Sequence, residues 1–152
     1  MVGLGEAGKN IVKLFKPHTK NYKIIIFDEN DGLEPMSSVE EYDEQEIKLK
    51  HKGLSKHDEA MLFVCGSGKV AGASLRILEA LKGFETTIVY IVPDLEFSSD
   101  REQKRHRAHF GILQEYTRSG MVNDMIVLDN KKMFEVAGTG TTLKYYEKVN
   151  FF

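Results

Sequence analysis

Two glycine-rich segments constrain the fold of this chain most, because each follows an apolar, strand-like run and leads into an amphipathic helix. They are residues 1–10 (MVGLGEAGKN) and residues 63–74 (FVCGSGKVAGAS). Glycine lets a backbone approach a ligand closely, and the unpaired N–H groups and dipole of a helix N-terminus attract anions. One such segment is weak evidence for a phosphate site. Two in one small α/β domain indicate that a single nucleotide is held between them.

The rest of the chain alternates apolar strand-like runs with helical patterns. We predict a short strand over residues 1–4 and, from runs rich in β-branched and aromatic residues, buried strands over residues 22–27, 60–65, 86–92 and 125–128. Buried strands that alternate with helices predict a mostly parallel sheet with helices on both faces, a three-layer, Rossmann-like α/β sandwich. Ligands of such sheets bind at the carboxyl ends of the strands, where both glycine segments lie.

Helix boundaries follow from the residues at the ends of each pattern. The first turn should run from Gly5 to Gly8, with a helix over residues 9–16 that Pro17 ends. Gly83 should end a helix over residues 70–82. A serine at 98 or 99 should cap a helix that reaches about residue 118, and another helix is expected over residues 143–152.

Composition sets broad limits on the class of protein. With 152 residues, 41% hydrophobic and 29% charged, the chain reads as one soluble globular domain, residues 1–152. A formal net charge of −2 gives no basic field for nucleic acid. Cys65 is the only cysteine, which favours a reducing, cytoplasmic setting. No apolar stretch approaches the roughly 20 residues that span a bilayer. Because both ends fall inside predicted elements, we expect a piece of a longer protein or an unusually minimal one.

Two segments carry charge of mainly one sign. Residues 28–46 hold nine acidic residues and no basic one, which indicates a solvated loop or a surface for a basic partner. Residues 101–107 are strongly basic and predict a solvated helix face, or a face that touches phosphate or an acidic neighbour. The two segments could complement each other between subunits. The histidines show no metal-ligand spacing, so we expect no metal site built from them.

The first glycine segment fits a known phosphate motif. Gly3, Gly5 and Gly8 satisfy Gly-x-Gly-x-x-Gly, and Asp28 ends the next predicted strand, which together favour a dinucleotide-binding domain such as that of an NAD(P)-dependent oxidoreductase. Lys69 suggests a P-loop, but the glycine spacing before it is too short. The simpler alternative for all these glycines is that they serve turns and helix packing.

The order of the parts resembles the nucleotide-binding domain of the tubulin/FtsZ superfamily over nearly the whole chain. The first segment is similar to the opening Gly-x-Gly-Gly-Gly-Gly-Asn-Asn turn of FtsZ, and residues 68–74 (GKVAGAS) fall on the hallmark Gly-Gly-Gly-Thr-Gly-Ser/Thr-Gly. The remaining matches keep the same order and are residues 24–30, 64–66, 93–97, 100–101, 108–112, 126–130 and 138–140.

The resemblance implies a guanine-nucleotide site for GTP or GDP, with or without magnesium. Its phosphate and base contacts would come from the first loop (Gly3, Gly5, Glu6, Ala7, Gly8 and Asn10) and from the second (Gly66, Gly68, Gly72, Ala73 and Ser74). Asp100 would contact the ribose, with Arg101 or Lys104 in the nearby basic role. Asn130 would read the base, and Tyr145 or Tyr146 would stack on it.

The resemblance also implies head-to-tail self-assembly into filaments. The family's catalytic acidic loop follows the central helix and acts on the next subunit's nucleotide, and this sequence stops before it, so we do not expect GTP hydrolysis by this chain alone. Lys69, Val70 and Ala71 replace the family's Gly-Gly-Thr, although Lys69 can place a point charge on phosphate. That replacement favours the alternative of a degenerate member that binds no nucleotide and serves as a structural or interaction module.

Overall fold

The computed structural model describes residues 1–18, 23–29 and 59–132. In these residues five parallel strands form one sheet in the order β2-β1-β3-β4-β5. The strands are β1 (Val2–Leu4), β2 (Ile25–Phe27), β3 (Glu59–Cys65), β4 (Glu85–Val92) and β5 (Asp124–Asp129), and the α-helices are α1 (Gly5–Leu14), α2 (Ser74–Ala80) and α3 (Asp100–Arg118). The predicted α/β sandwich with a parallel, Rossmann-like sheet is confirmed at this level.

The helices cover both faces of the sheet, since alternate residues of one strand enter two different cores. Phe63 of β3 packs with Ile11 and Val12 of α1. Its neighbours Leu62 and Val64 point the other way, into a cluster that contains Ile77 of α2 and Leu113 of α3. Because side chains alternate across a strand, α1 lies on one face and α2 and α3 lie on the other.

The strand order places a switch point in the middle of the sheet. β1 pairs with β2 on one side and with β3 on the other, with Leu4 beside Phe27 and Val64. The chain therefore moves outward in one direction from β1 to β2 and in the opposite direction from β3 to β5. Crevices at such a point, outside the carboxyl ends of the strands, are where open α/β sheets bind ligands.

Several predicted boundaries agree with the structure. Helix α3 ends at Arg118 as expected, and of the two candidate caps it is Ser99 that starts it, in a capping box with Glu102. Gly83 follows the end of α2 with a φ of 101°, a left-handed conformation that favours glycine and stops a helix.

Other boundaries were wrong for local reasons. Residues 5–8 are not a turn: Gly5, with a φ of 69°, completes the reversal, so α1 begins there and ends at Leu14. Pro17 does not end α1 but lies in a separate 3-10 helix, Lys16–His18. The helix predicted over residues 70–82 is split into a 3-10 helix, Ala71–Ala73, and α2. The second strand begins at Ile25, and Tyr22 and residues 143–152 lie outside the described part.

The last strand is not the buried strand that its composition predicted. β5 pairs with β4 at the edge of the described sheet, and Ile126 and Val127 remain 43% and 47% exposed. An apolar run specifies a strand, but its burial depends on how many neighbours the strand has. Within the described ranges no helix is both long enough and apolar enough to cross a membrane.

Candidate functional site

A cleft of about 470 Å³ opens at the switch point, at the carboxyl ends of β1, β2 and β3. Its walls are the first turn of α1, the residues that follow β2, the loop over residues 65–71, and the first turns of α3. Both glycine-rich segments therefore border the same cleft. Its volume lies within the range of roughly 300–1,000 Å³ that is typical of small-molecule sites.

Close packing explains the three glycines of the first segment. A Cβ on Gly8 would lie 2.2 Å from the carbonyl oxygen of Phe63, and one on Gly3 would lie 2.6 Å from that of Gly8. Gly5 makes the left-handed turn between strand and helix. The absence of side chains at Gly3 and Gly8 lets α1 pack closely on β1 and β3, and the turn at Gly5 brings the N-terminus of α1 to the cleft.

The N-terminus of α1 has no side-chain cap. Its N-cap residue is Leu4, which offers no acceptor, so the N–H groups of Glu6 and Ala7 have no partner within the helix. Both residues line the cleft. In contrast, the Ser99 side chain accepts a hydrogen bond from the backbone of Glu102 and so caps α3. The uncapped end of α1 can therefore receive an anion.

The second glycine segment presents a further set of backbone donors. In this loop Gly68 N–H donates to Cys65 (3.0 Å) and Ala71 N–H donates to Gly68 (3.2 Å). The N–H groups of Lys69 and Val70 donate to no carbonyl group of a described residue, and both residues line the cleft. Successive free N–H groups of this kind form an anion-binding concavity.

Helix α3 holds this loop from behind. His109 Nδ1–H donates to the carbonyl oxygen of Gly66 (2.7 Å), and Arg105 Nε–H donates to that of Ser67 (2.9 Å). Gly66 is also pressed against Tyr90, since a Cβ there would lie 1.8 Å from the Tyr90 hydroxyl oxygen. The carbonyl groups of Gly66 and Ser67 therefore both point to α3. In a trans peptide the N–H lies opposite the C=O, so the N–H of Ser67 points away from α3.

The Tyr90 hydroxyl is itself held by α3. It lies 2.8 Å from Nδ1 of His106 and 3.2 Å from the His106 carbonyl oxygen. Burial raises the pKa of Tyr90 and lowers the pKa of both His106 and His109. The two imidazoles therefore favour their neutral forms, and the support behind the loop is formed by buried, uncharged aromatic groups together with the Arg105 guanidinium.

Ion pairs within the cleft neutralise one of its cations. Lys9 lies 2.6 Å from the Glu6 carboxylate and 3.5 Å from that of Asp28, and the hydrogen bond that it donates to Glu6 is the main reason that its pKa is raised. Glu102 accepts a hydrogen bond from the backbone of Ser99 (2.7 Å), which lowers the pKa of its carboxyl group. The charge of Arg105 also lowers the pKa of Glu102, but neither Lys69 nor Arg105 forms an ion pair with any described carboxylate.

Nucleophilic and metal-based chemistry has little support among the described residues. Cys65 borders the cleft with Sγ 3.2 Å from the Ser67 hydroxyl oxygen, and burial raises the pKa of its thiol. A thiol with a raised pKa is mostly protonated at neutral pH and is a poor nucleophile. The described part of the chain contains no group of three or more His, Cys, Asp or Glu side chains that could hold a metal ion.

The predicted site residues fall into three groups by position. The first group lines the cleft and comprises Gly5, Glu6, Ala7, Gly68 and Lys69. The second is buried behind it and comprises Gly3, Gly8, Gly66, Gly72, Ala73 and Ser74; the Ser74 hydroxyl donates to the carbonyl oxygen of Ala71 (2.6 Å) rather than pointing into the cleft. The third does not border the cleft and comprises Asn10, Asp100, Arg101, Lys104 and Asn130. Tyr145 and Tyr146 lie outside the described residues.

Three of the residues that line the cleft were not predicted from the sequence. Ser67, Glu102 and Arg105 border the cleft, whereas the basic residues favoured from the resemblance, Arg101 and Lys104, are exposed. Arg105 is only 8% exposed, so it does not belong to the solvated helix face predicted for residues 101–107. The sequence feature that could have identified Arg105 is its spacing. Positions 105, 109 and 113 are four residues apart and lie along the buried face of α3.

The chain matches no protein-family model and no curated protein.

Proposed function

We propose that this chain is a divergent guanine-nucleotide-binding domain of the tubulin/FtsZ type that acts through head-to-tail self-assembly. One observation carries the nucleotide part of the proposal. The uncapped first turn of α1 and the free N–H groups of the loop over residues 65–71 line the same cleft, at the switch point between β1 and β3. Two sets of backbone donors that share one cleft suit the phosphates of a nucleotide better than a single small anion.

The choice of guanine rests on the order of the motifs, from residues 3–10 through residues 68–74 to residues 126–130. Asn130, the proposed base-reading residue, follows the end of β5 at the carboxyl edge of the sheet, the edge that also carries the cleft. Aromatic stacking by Tyr146 belongs to the same proposal. Magnesium would be held mainly by the phosphates with one or two carboxylates such as Asp28 or Glu29, as is usual for this ion.

A dinucleotide such as NAD is the second candidate, and one observation favours it. Gly3, Gly5 and Gly8 make the tight turn and the close helix–strand packing that a dinucleotide fingerprint requires, and the Asp28 carboxylate lies at the cleft after β2. In that fold an acidic residue at this position binds the ribose hydroxyl groups. Here Asp28 also lies 3.5 Å from Lys9, so a ribose would compete with this ion pair.

Calorimetric titration with GTP, GDP, ATP and NAD separates the candidates. Tight binding of GTP and GDP alone supports the guanine-nucleotide proposal, and binding of NAD alone supports the dinucleotide candidate. No heat with any of the four would leave the degenerate module, a fold without nucleotide, as the better account.

A matched pair of variants ties the binding to this cleft. Ala7→Glu places a carboxylate in the first turn of α1, where the helix dipole tolerates it but a phosphate is repelled. Lys13→Gln changes the charge of the same helix by the same amount at an exposed position away from the cleft. We expect Ala7→Glu to abolish nucleotide binding and Lys13→Gln to retain it. Equal binding by both variants would place the nucleotide elsewhere.

Self-assembly requires its own test. Head-to-tail contacts that do not close by rotation build filaments, so GTP-dependent polymer should appear by sedimentation and microscopy. Arg107 is the suitable site for charge reversal on α3, because it is exposed, whereas Arg105 is buried and bonded to the loop. An Arg107→Glu variant that polymerises as well as the wild-type protein would eliminate a role for this basic face in the contact.

A further inference from the structure

Arg105 is a buried cation in the wall of the cleft. Its side chain projects from the second turn of α3, and the residue is only 8% exposed. Its Nε–H donates to the carbonyl oxygen of Ser67 (2.9 Å). That bond fixes the plane of the guanidinium group but uses only one of its five N–H donors.

No carboxylate among the described residues forms an ion pair with Arg105. The acidic residue closest to it in sequence, Glu102, is hydrogen-bonded in the capping box of α3, and the charge of Arg105 is only the smallest of the causes that lower the pKa of its carboxyl group. On the opposite wall Glu6 and Asp28 pair with Lys9. A buried cation that no carboxylate contacts directly is costly, so this position favours an anion that comes from outside the protein.

We propose that Arg105 binds the phosphoryl group of the ligand through its terminal amino groups while its Nε holds the loop over residues 65–71. A guanidinium group matches the oxygens of a phosphate in a bidentate manner. The free N–H groups of Lys69 and Val70 line the same cleft and add further donors. This assignment rests on the proposed function only in that the ligand enters the same cleft. It replaces Arg101 and Lys104, which are exposed and do not border the cleft.

The test measures binding of a series of probes that differ in charge: guanosine, GDP, GTP and inorganic pyrophosphate. The variants are Arg105→Gln and Arg105→Lys, with Arg107→Gln as the matched control on the exposed face of the same helix. Removal of a charge-assisted contact should weaken GDP, GTP and pyrophosphate by roughly 10- to 100-fold in Arg105→Gln. Arg105→Lys should give an intermediate loss, Arg107→Gln should change nothing, and guanosine should bind all forms equally.

The outcomes separate this proposal from the function it rests on. Binding of GTP that Arg105→Gln leaves unchanged overturns the role of Arg105 and retains the nucleotide function. Arg105-dependent binding of pyrophosphate with no preference for guanine supports the role of Arg105 and overturns the guanine-nucleotide function. A wild-type protein that binds none of the probes overturns both.

A purely structural role for Arg105 has a distinct signature. If the residue only ordered the loop, Arg105→Gln would weaken guanosine as much as GTP, and that result overturns the proposal. Thermal unfolding of each variant checks the fold. If Arg105→Gln does not fold, Arg105→Lys alone provides the test, because it retains the charge but loses the planar guanidinium group. Weaker binding of GTP and pyrophosphate relative to guanosine supports the proposal. Unchanged binding of all three overturns it.

Discussion

The close contact between Gly8 of α1 and Phe63 of β3 can be tested by adding one methyl group. Gly8→Ala would place a Cβ 2.2 Å from the Phe63 carbonyl oxygen, and the clash is with backbone, so no side-chain rotation relieves it. To reach an ordinary contact, α1 would have to move about 1 Å away from β3. Ile11 and Val12, which pack with Phe63, would move with it, and a gap of this size forfeits a quarter to a half of the dispersion energy of each contact.

The expected magnitude follows from two opposing effects. Overpacking costs about 1–3 kcal/mol, and the upper end applies because both partners are backbone-fixed. Alanine is favoured over glycine within a helix by about 1 kcal/mol. The net loss in the free energy of unfolding should therefore be about 2 kcal/mol, which for a chain of this size lowers the melting temperature by about 4–8 °C.

Gly111→Ala is the matched control, since Gly111 lies within α3, is exposed, and a Cβ there meets no atom within 4 Å. The same methyl group should here raise stability by about 1 kcal/mol. Thermal and urea unfolding of both variants provide the measurement. A Gly8→Ala protein as stable as the wild type, or stabilised like Gly111→Ala, would refute the close packing of α1 on β3.

Three further predictions concern α3 and the loop that it holds. Ser99→Ala should lower the free energy of unfolding by about 1 kcal/mol in urea denaturation, because it removes the N-cap acceptor for the Glu102 N–H; no loss would contradict the capping box. Gly66→Ala should destabilise by about 1–3 kcal/mol through its clash with the Tyr90 hydroxyl, and by less in a Tyr90→Phe background; a double-mutant cycle without coupling would argue against the contact. Burial lowers the pKa of His109 in the folded state, so the unfolded chain binds its proton first, and stability should fall as the pH drops below about 6.5. His109→Gln keeps a donor for the loop but does not titrate, so its unfolding free energy should depend less on pH between about 5 and 7; an unchanged dependence would assign it to other groups.

The local features of the sequence predicted the elements well and the site only in part. The apolar runs identified all the strands of the described sheet, since buried parallel strands are apolar along their whole length. A serine at 98 or 99 predicted the start of α3, because an N-cap depends only on neighbours in the chain, and the structure selects Ser99. The tubulin/FtsZ resemblance, and with it the guanine nucleotide and the filament, stays a prediction.

The errors came where the answer depended on residues distant in sequence. The choice between Lys104 and Arg105 as the cleft cation depends on which side of α3 faces the loop, and the bond from Arg105 to Ser67 joins residues 38 positions apart. The exposure of β5 likewise depends on its place in the order of strands, which its own composition does not encode.

The two glycine-rich segments illustrate what the sequence determines and what the tertiary structure determines. The sequence by itself determined that strand, glycine and helix follow one another twice, because backbone freedom and apolar periodicity act within a few residues. Only the tertiary structure decided that Gly8 and Gly66 serve packing against Phe63 and Tyr90, whereas Gly5 and Gly68 border the cleft. The physical reason is that a glycine is required wherever a Cβ has no space, and the atoms that occupy that space are brought there by the fold.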